Sequence, residues 1–200
     1  LKTEGTLHPA QKSLIKHSVR EARIDVIYNS VDLSIFRTTG ISSRIRKEYS
    51  IPENAFLFLY IGRLIHQKAV DILIEAFKKV DTEAYLLIVG QGEDQSALEQ
   101  KVKKSGLEKR VIFVGVRNDI PGLFLLSNCF ILPSRYEGLP LVLVEALAAG
   151  VAIIVSDFEA AREVITHNKN GLIVPREDVD ALAQAMILVN EDGELRKNLS

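Results

Sequence analysis

A single cysteine, Cys129, occurs among the 200 residues, which excludes an internal disulfide. Cys129 sits in an apolar run with no cationic neighbour, so a buried structural thiol is expected rather than a nucleophile. A chain without disulfides suits a reducing compartment, and the expected location is the cytoplasm, with peripheral attachment to the inner face of the membrane open to the full-length protein. Charge of one sign is lacking too. Lys and Arg number 25 against 26 Asp and Glu, a net charge of −1, so bulk charge gives no reason to expect capture of nucleic acid. The longest apolar stretch, Leu139 to Val155, is broken by Glu145 and Gly150 and falls short of the ~20 residues a bilayer requires. It reads instead as a buried helix followed by a strand. The opening LKTEGTLHPAQK has no apolar core of the kind a signal peptide carries. No His, Cys or carboxylate cluster has metal-ligand spacing, so neither metal nor cofactor is expected. Repeats and low-complexity linkers are also missing. The sequence does not start with methionine and reads as part of a longer protein, with residues 1–23 a leading segment and 24–200 one domain.

What is present is an ordinary globular composition, 47% apolar and 26% charged, long enough to bury a sizeable core. Short β-branched or aromatic runs recur between turn residues. They lie around Ile27 and in runs ending at Gly62, Gly90, Gly115, Ser134, Asp157 and Pro175. Most are continuously apolar, the signature of strands covered on both faces. Helical patterns separate them, over Asp71 to Lys79, Gln95 to Lys104, Pro140 to Ala149, Ala160 to Ile165 and Val179 to Val189. Alternation of this kind predicts an α/β fold: a doubly wound, mainly parallel Rossmann-like sheet with helices on both faces. Ligands of such sheets bind beyond the carboxyl ends of the strands. The segments to inspect are therefore Arg63 to Lys68, Gly90 to Asp94, Gly115 to Asp119, Ser134 to Pro140 and Asp157 to Ala160.

The most informative is SRYEGLPLVLVEALAAG, Ser134 to Gly150. Gly138 permits close backbone approach, and Pro140 suits the first position of a helix, where a missing N–H costs nothing. The unpaired N–H groups at that helix end form an anion site. Glu145 lies about a turn and a half inside, surrounded by apolar residues. A carboxylate there needs a hydrogen-bonding partner, and the vicinal hydroxyls of a ribose would serve. An exposed edge or a buried arginine would serve as well. In the loop YIGRLIHQKAVD, Arg63 and Lys68 could neutralise a diphosphate and the charge building on a leaving group, or be two solvated cations. His66 in that loop is either a surface residue or a base. The run VGQGEDQSALE begins like a dinucleotide fingerprint but has Gln95 at the third glycine position. Its Gly90 and Gly92 still allow a tight turn, and Asp94 or Ser96 is expected to cap the next helix. The tripeptide Asp178 to Asp180 is explained by capping and helix-dipole complementarity rather than by a metal.

Taken in order, IYNSVD (Ile27 to Asp32), GRL followed by Lys68, VGQGE, FVG, PSRYEGLPLVLVEALAAG with two glutamates separated by seven residues, and NGLIVP (Asn170 to Pro175) resemble the C-terminal, donor-binding domain of GT-B glycosyltransferases, specifically the retaining glycosyltransferase family four (glycosyl transferases group 1). The resemblance covers about Ile24 to Ser200. It implies that Arg63 and Lys68 bind the donor diphosphate and stabilise the departing nucleoside diphosphate. Glu145 would hold the ribose hydroxyls. Glu137, with the backbone of Gly138, Leu139 and Leu141, would contact the transferred sugar and its phosphates, and backbone near Val116 and Arg117 would read the base edge. Gly62, Gly90, Gly92, Ser134 and Pro140 complete the implied donor-binding set, with Arg63, Lys68 and Glu137 as its catalytic members. The family retains anomeric configuration without a metal and carries its acceptor site on a separate N-terminal domain, which this chain lacks. The expected partners are a nucleoside-diphosphate sugar, with UDP-sugars weakly favoured, and a glycan or lipid-linked acceptor.

Three departures stand out. The glycine usual after the phosphate-loop lysine is Ala69, the usual Asn-Gly turn is Asn29-Ser30, and the last helix that packs back on the acceptor domain is missing with that domain. Two rival readings remain: a Rossmann-type nucleotide-dependent oxidoreductase, and a non-catalytic nucleotide-binding or assembly domain of the same fold.

Overall fold

The computed structural model describes residues 30–37, 42–80 and 83–200. The leading segment, the strand expected around Ile27 and Asn29 of the IYNSVD turn lie outside them. A compact unit runs from Val31 to Ser200. After a 3₁₀ turn over Leu33–Arg37, the elements follow in order: α1 (Ser42–Glu48), β1 (Leu57–Ile61), α2 (Val70–Lys78), β2 (Tyr85–Val89), α3 (Gln95–Lys104) and β3 (Val111–Gly115). The second half contains α4 (Ile120–Leu126), β4 (Cys129–Leu132), α5 (Leu141–Ala149), β5 (Ala152–Ser156), α6 (Ala161–Val164), β6 (Leu172–Val174), α7 (Val179–Glu191) and α8 (Gly193–Asn198). The six strands form one sheet in the order β3-β2-β1-β4-β5-β6, and every pairing is parallel.

The sheet is hidden because its strands bury both of their faces. On β1, Phe58 and Tyr60 enter one apolar cluster, while Leu57 and Leu59 enter the other, the period of two expected of a strand. The first cluster is roofed by α2, α3 and α7 through Leu73, Phe77, Leu98, Val102, Leu182 and Met186. The second is roofed by α1, α4, α5 and α6 through Ile45, Leu123, Phe124, Leu143, Ala146 and Ala161. Each fully buried aliphatic or phenyl side chain contributes on the order of 1.5–3 kcal/mol of transfer free energy, so the sheet is the rigid part of the molecule. Cys129 is fully buried on β4 and burial pushes its thiol up, as a structural thiol requires.

Several local expectations need correction. Pro140 is the N-cap of α5, not its first residue, and supplies no side-chain cap. Asp94 occupies the N-cap position of α3, but its side chain makes no capping bond, and Ser96 lies inside the helix. Asp178 does cap α7, accepting from Ala181 N at 2.9 Å. Helix α4 has no counterpart among the helical patterns of the sequence: IPGLFLL is short and almost wholly apolar, so it carries no helical period to read.

Candidate functional site

Strand order reverses between β1 and β4, since β1 leads outward to β2 and β3 while β4 leads to β5 and β6. In open parallel sheets ligands bind in the crevice outside the carboxyl ends of the strands at such a switch point, which makes the loops after β1 and β4 the place to look. The loop after β1 contains Arg63 and a 3₁₀ turn over His66–Lys68. The loop after β4 contains Ser134 to Pro140 and leads into α5.

The two loops meet at Glu137. Its Oε1 accepts from Lys68 Nζ and from Ser134 Oγ at 2.8 Å, and its Oε2 accepts from Gln67 Nε2 at 3.4 Å. The Lys68 and Glu137 side chains are only 12% and 8% exposed, so screening by water is weak there. Ser134 is fully buried, and its carbonyl accepts from Ser156 Oγ, which fixes the loop to the end of β5. Two further bonds reinforce the junction: Arg135 N donates to Gln67 O at 2.9 Å, and Gln67 Nε2 donates to Tyr136 O at 2.9 Å.

Arg63 is exposed. Tyr60 Oη donates to its carbonyl at 2.9 Å, and among the described residues its guanidinium has no hydrogen bond or ion pair. His66 is exposed, and what it contributes is its backbone carbonyl, taken by Arg135 Nη1. Lys68 is followed by Ala69, fully buried in the left-handed region at φ 52°, ψ 37°. A non-glycine residue there costs about 1–2 kcal/mol, which accounts physically for a glycine being usual at the position.

Glu145 is half-buried. Burial alone raises its carboxyl above the usual glutamate value, and among the described residues no arginine, lysine or other donor pairs with it. The buried arginine anticipated as one alternative is not found among the described residues, and since no unpaired side-chain oxygen there is buried, the carboxylate keeps contact with solvent. Leu141, at the start of α5, is 51% exposed.

The glycines divide into two kinds. At Gly90, with φ +128°, a Cβ would stand 1.9 Å from Gly62 O, and at Gly92 a Cβ would stand 2.1 Å from Leu64 O. At Gly62 it would meet Tyr60 Oη at 2.7 Å. Gly90 and Gly92 let the loops after β1 and β2 lie against each other, joined by Leu64 N to Gln91 O at 2.9 Å and Asp94 N to Leu64 O at 3.0 Å, while Gly62 leaves room for the Tyr60 hydroxyl. Their packing role is internal to the chain. A Cβ at Gly138 would meet nothing within 4 Å, so the space beside that backbone is open.

Val116 and Arg117 follow β3, at the far edge of the sheet. Val116 is 62% exposed, whereas Arg117 is engaged through its side chain, chelating Asp119 at 2.9 and 2.7 Å and approaching Glu48 at 3.6 Å. No contact joins them to the Lys68–Glu137 pair among the described residues. Sequence reasoning missed Gln67 and Arg135, both flanking residues that it did recognise. A roomy concavity lined by Pro52, Asn54, Phe56, Tyr85, Lys109 and Asn190 lies at the amino ends of β1 and β2, opposite the crevice, and contains none of these residues.

Residues 42–200 match the family model described as "Glycosyl transferases group 1". The chain belongs to this family. The group 1 fold is also seen in an Anabaena protein, HepE, solved in complex with UDP-glucose: it is 27% identical with a TM-score of 0.88, over 95% of this chain and 54% of that one. The C-terminal domain of a group 1 family protein from Francisella tularensis is 26% identical with a TM-score of 0.75, over 85% of this chain and 92% of that one. The neighbours are GT-B glycosyltransferases, and the sheet is one Rossmann-like half of that architecture. Among curated relatives, N-acetyl-alpha-D-glucosaminyl L-malate synthase of Bacillus anthracis is 32% identical over 88% of this chain and 46% of its own length. An Escherichia coli relative, UDP-Gal:alpha-D-GlcNAc-diphosphoundecaprenol alpha-1,3-galactosyltransferase, is 31% identical over 86% of this chain and 46% of its own length. The chain thus spans about half the length of the curated relatives it matches. The family match sets aside the oxidoreductase alternative. Its would-be fingerprint follows β2 rather than the β1 switch point and serves loop packing.

Proposed function

We propose that the chain is the donor-binding domain of a retaining hexosyltransferase, holding a nucleoside-diphosphate sugar in the crevice between the loops after β1 and β4. The observation that carries this reading is the meeting of Lys68 and Glu137 across the switch point, beside an amino end of α5 that no side chain caps. An ammonium has three donors, so Lys68 can keep Glu137 and still bond a phosphate oxygen. With the unengaged guanidinium of Arg63 it would counter the diphosphate charge, which grows as the nucleoside diphosphate departs. Glu137 would accept from hydroxyls of the transferred sugar, with Gly138, Leu139 and Leu141 supplying backbone to its phosphates. Glu145 would gain from ribose hydroxyls the hydrogen bonds that no described residue of the chain supplies. Backbone at Val116 and Arg117 would border the base.

A UDP-sugar is the favoured donor. Support comes from the UDP-Gal in the name of the Escherichia coli relative and the UDP-glucose bound to HepE. The E. coli name also supports a lipid-linked glycan as acceptor, which a second domain would hold, with the full-length enzyme at the cytoplasmic face of a membrane. Among the described residues no helix is long and apolar enough to cross one. Titration calorimetry with UDP tests the site. Arg63→Ala and Lys68→Ala should each weaken binding by about 1–3 kcal/mol, the worth of a hydrogen bond to a charged group. Unchanged affinity in both would remove these residues from the diphosphate site.

A further inference from the structure

Arg135 stands between Ser134 and Glu137 in sequence, yet its side chain serves three other segments. Nη1 and Nη2 grip both oxygens of Asp71 at 3.1 and 3.0 Å, and Nη1 also donates to the carbonyl of His66. Nε donates to Glu177 Oε1 at 2.8 Å. The side chain of Arg135 is 11% exposed, whereas Asp71 and Glu177 are 39% and 59% exposed. Asp71 lies in the first turn of α2, two residues after the strained Ala69. Glu177 belongs to the loop after β6 and itself adopts a left-handed φ of 59°, uncommon for a glutamate. One guanidinium therefore joins the loops after β1, β4 and β6 immediately outside the crevice. Burial would raise the Asp71 carboxyl, but the Arg135 hydrogen bond and charge, with the backbone N–H of Ile72, hold it below its usual value.

We infer that Arg135 is a positioning residue that sets the spacing between Lys68 and Glu137, by tying the 3₁₀ turn carrying Lys68 to the loop carrying Glu137. The inference rests on the reading of the crevice as the diphosphate site. A fork that satisfies one carboxylate bidentately, a second carboxylate and a carbonyl needs a planar guanidinium. Lysine keeps the charge but not that geometry. Salt bridges to carboxylates that water can reach add little to stability, so a half-exposed and an exposed carboxylate converging with a carbonyl on one nearly buried guanidinium point to placement. A shift of about 1 Å in a catalytic group can cost roughly a hundredfold in rate.

The test is a double-mutant cycle in the full-length enzyme, with kcat and KM for transfer measured beside the melting temperature. Arg135→Lys should melt close to the parent protein yet lose about tenfold or more in kcat. In a Lys68→Ala background the same substitution should cost less than about twofold, because residues acting as a unit are not additive. Glu177→Gln removes one arm of the fork at an exposed site. It should give a smaller loss that also vanishes in the Lys68→Ala background, and it carries the test if Arg135→Lys does not fold. A loss that persists undiminished without Lys68, or a kcat equal to the parent's, overturns the inference while leaving the site reading intact. If Lys68→Ala itself changes neither UDP affinity nor kcat, both readings fall.

Discussion

A carboxylate on the fifth residue of the helix LVLVEALAA works against the fold that carries it. Glu145 is half-buried without a partner among the described residues, and burial raises its carboxyl. The sign of the resulting pH dependence follows from linkage. A carboxyl whose value is higher in the folded chain favours folding only while protonated. That contribution is complete below the usual glutamate range and is lost as pH rises through the raised value. Glu145→Gln cannot ionise, so near pH 7 it should unfold at higher urea concentration than the parent, and the gap should close below about pH 4. If the carboxylate is kept for ribose hydroxyls, the same variant should bind UDP more weakly. Urea titrations at the two pH values, paired with calorimetry, check both arms. A variant that is no more stable at neutral pH would show that the ionised carboxylate is adequately solvated in the folded chain.

At the scale of elements, the loops leaving the strands combine positions demanded by packing with positions that packing leaves free. Gly90 belongs to the first kind and Gly138 to the second. Gly90→Ala should cost at least about 2 kcal/mol of stability, since both a backbone clash and a disfavoured φ must be absorbed. Gly138→Ala, which meets no atom of the chain, should change stability by less than about 0.5 kcal/mol. It should nonetheless weaken UDP-sugar binding, because its methyl group enters the open crevice. Equal stability losses in the two variants would contradict the division. The sequence pattern could not separate them, because a glycine after a strand reads the same in either role. Strands were legible because a short, continuously apolar run between turn residues can bury itself on both faces only inside a covered sheet, and each described run did become a strand. Longer helices were legible by their period, while the seven residues of α4 were too few and too apolar to show one. The Arg135 fork was invisible because its partners Asp71 and Glu177 are 64 and 42 residues away, and no local period encodes such a meeting.

For the whole molecule, what counts is which parts of a transfer site one sheet can supply. The proposed site would combine two cations, a carboxylate bonded to one of them and an uncapped helix end, all on segments that follow the two central strands of the sheet. Nothing in that set requires a second domain in order to attract a nucleoside diphosphate. Net charge near zero means that attraction must come from these local groups, so it should weaken as salt screens Arg63, the exposed member of the pair. Transfer is another matter, because an acceptor hydroxyl has to be held against the sugar, and the matched length is about half that of the curated relatives. The 200-residue chain alone should therefore bind UDP with an affinity that falls between low and moderate salt, and should transfer no sugar from UDP-glucose to added acceptor. The complete enzyme should do both. Calorimetry of the chain with UDP, GDP and ADP at two ionic strengths decides the first point. Absence of heat with all three would mean that the crevice between β1 and β4 is not sufficient to hold a diphosphate, and the electrostatic argument for Arg63 and Lys68 would fail with it.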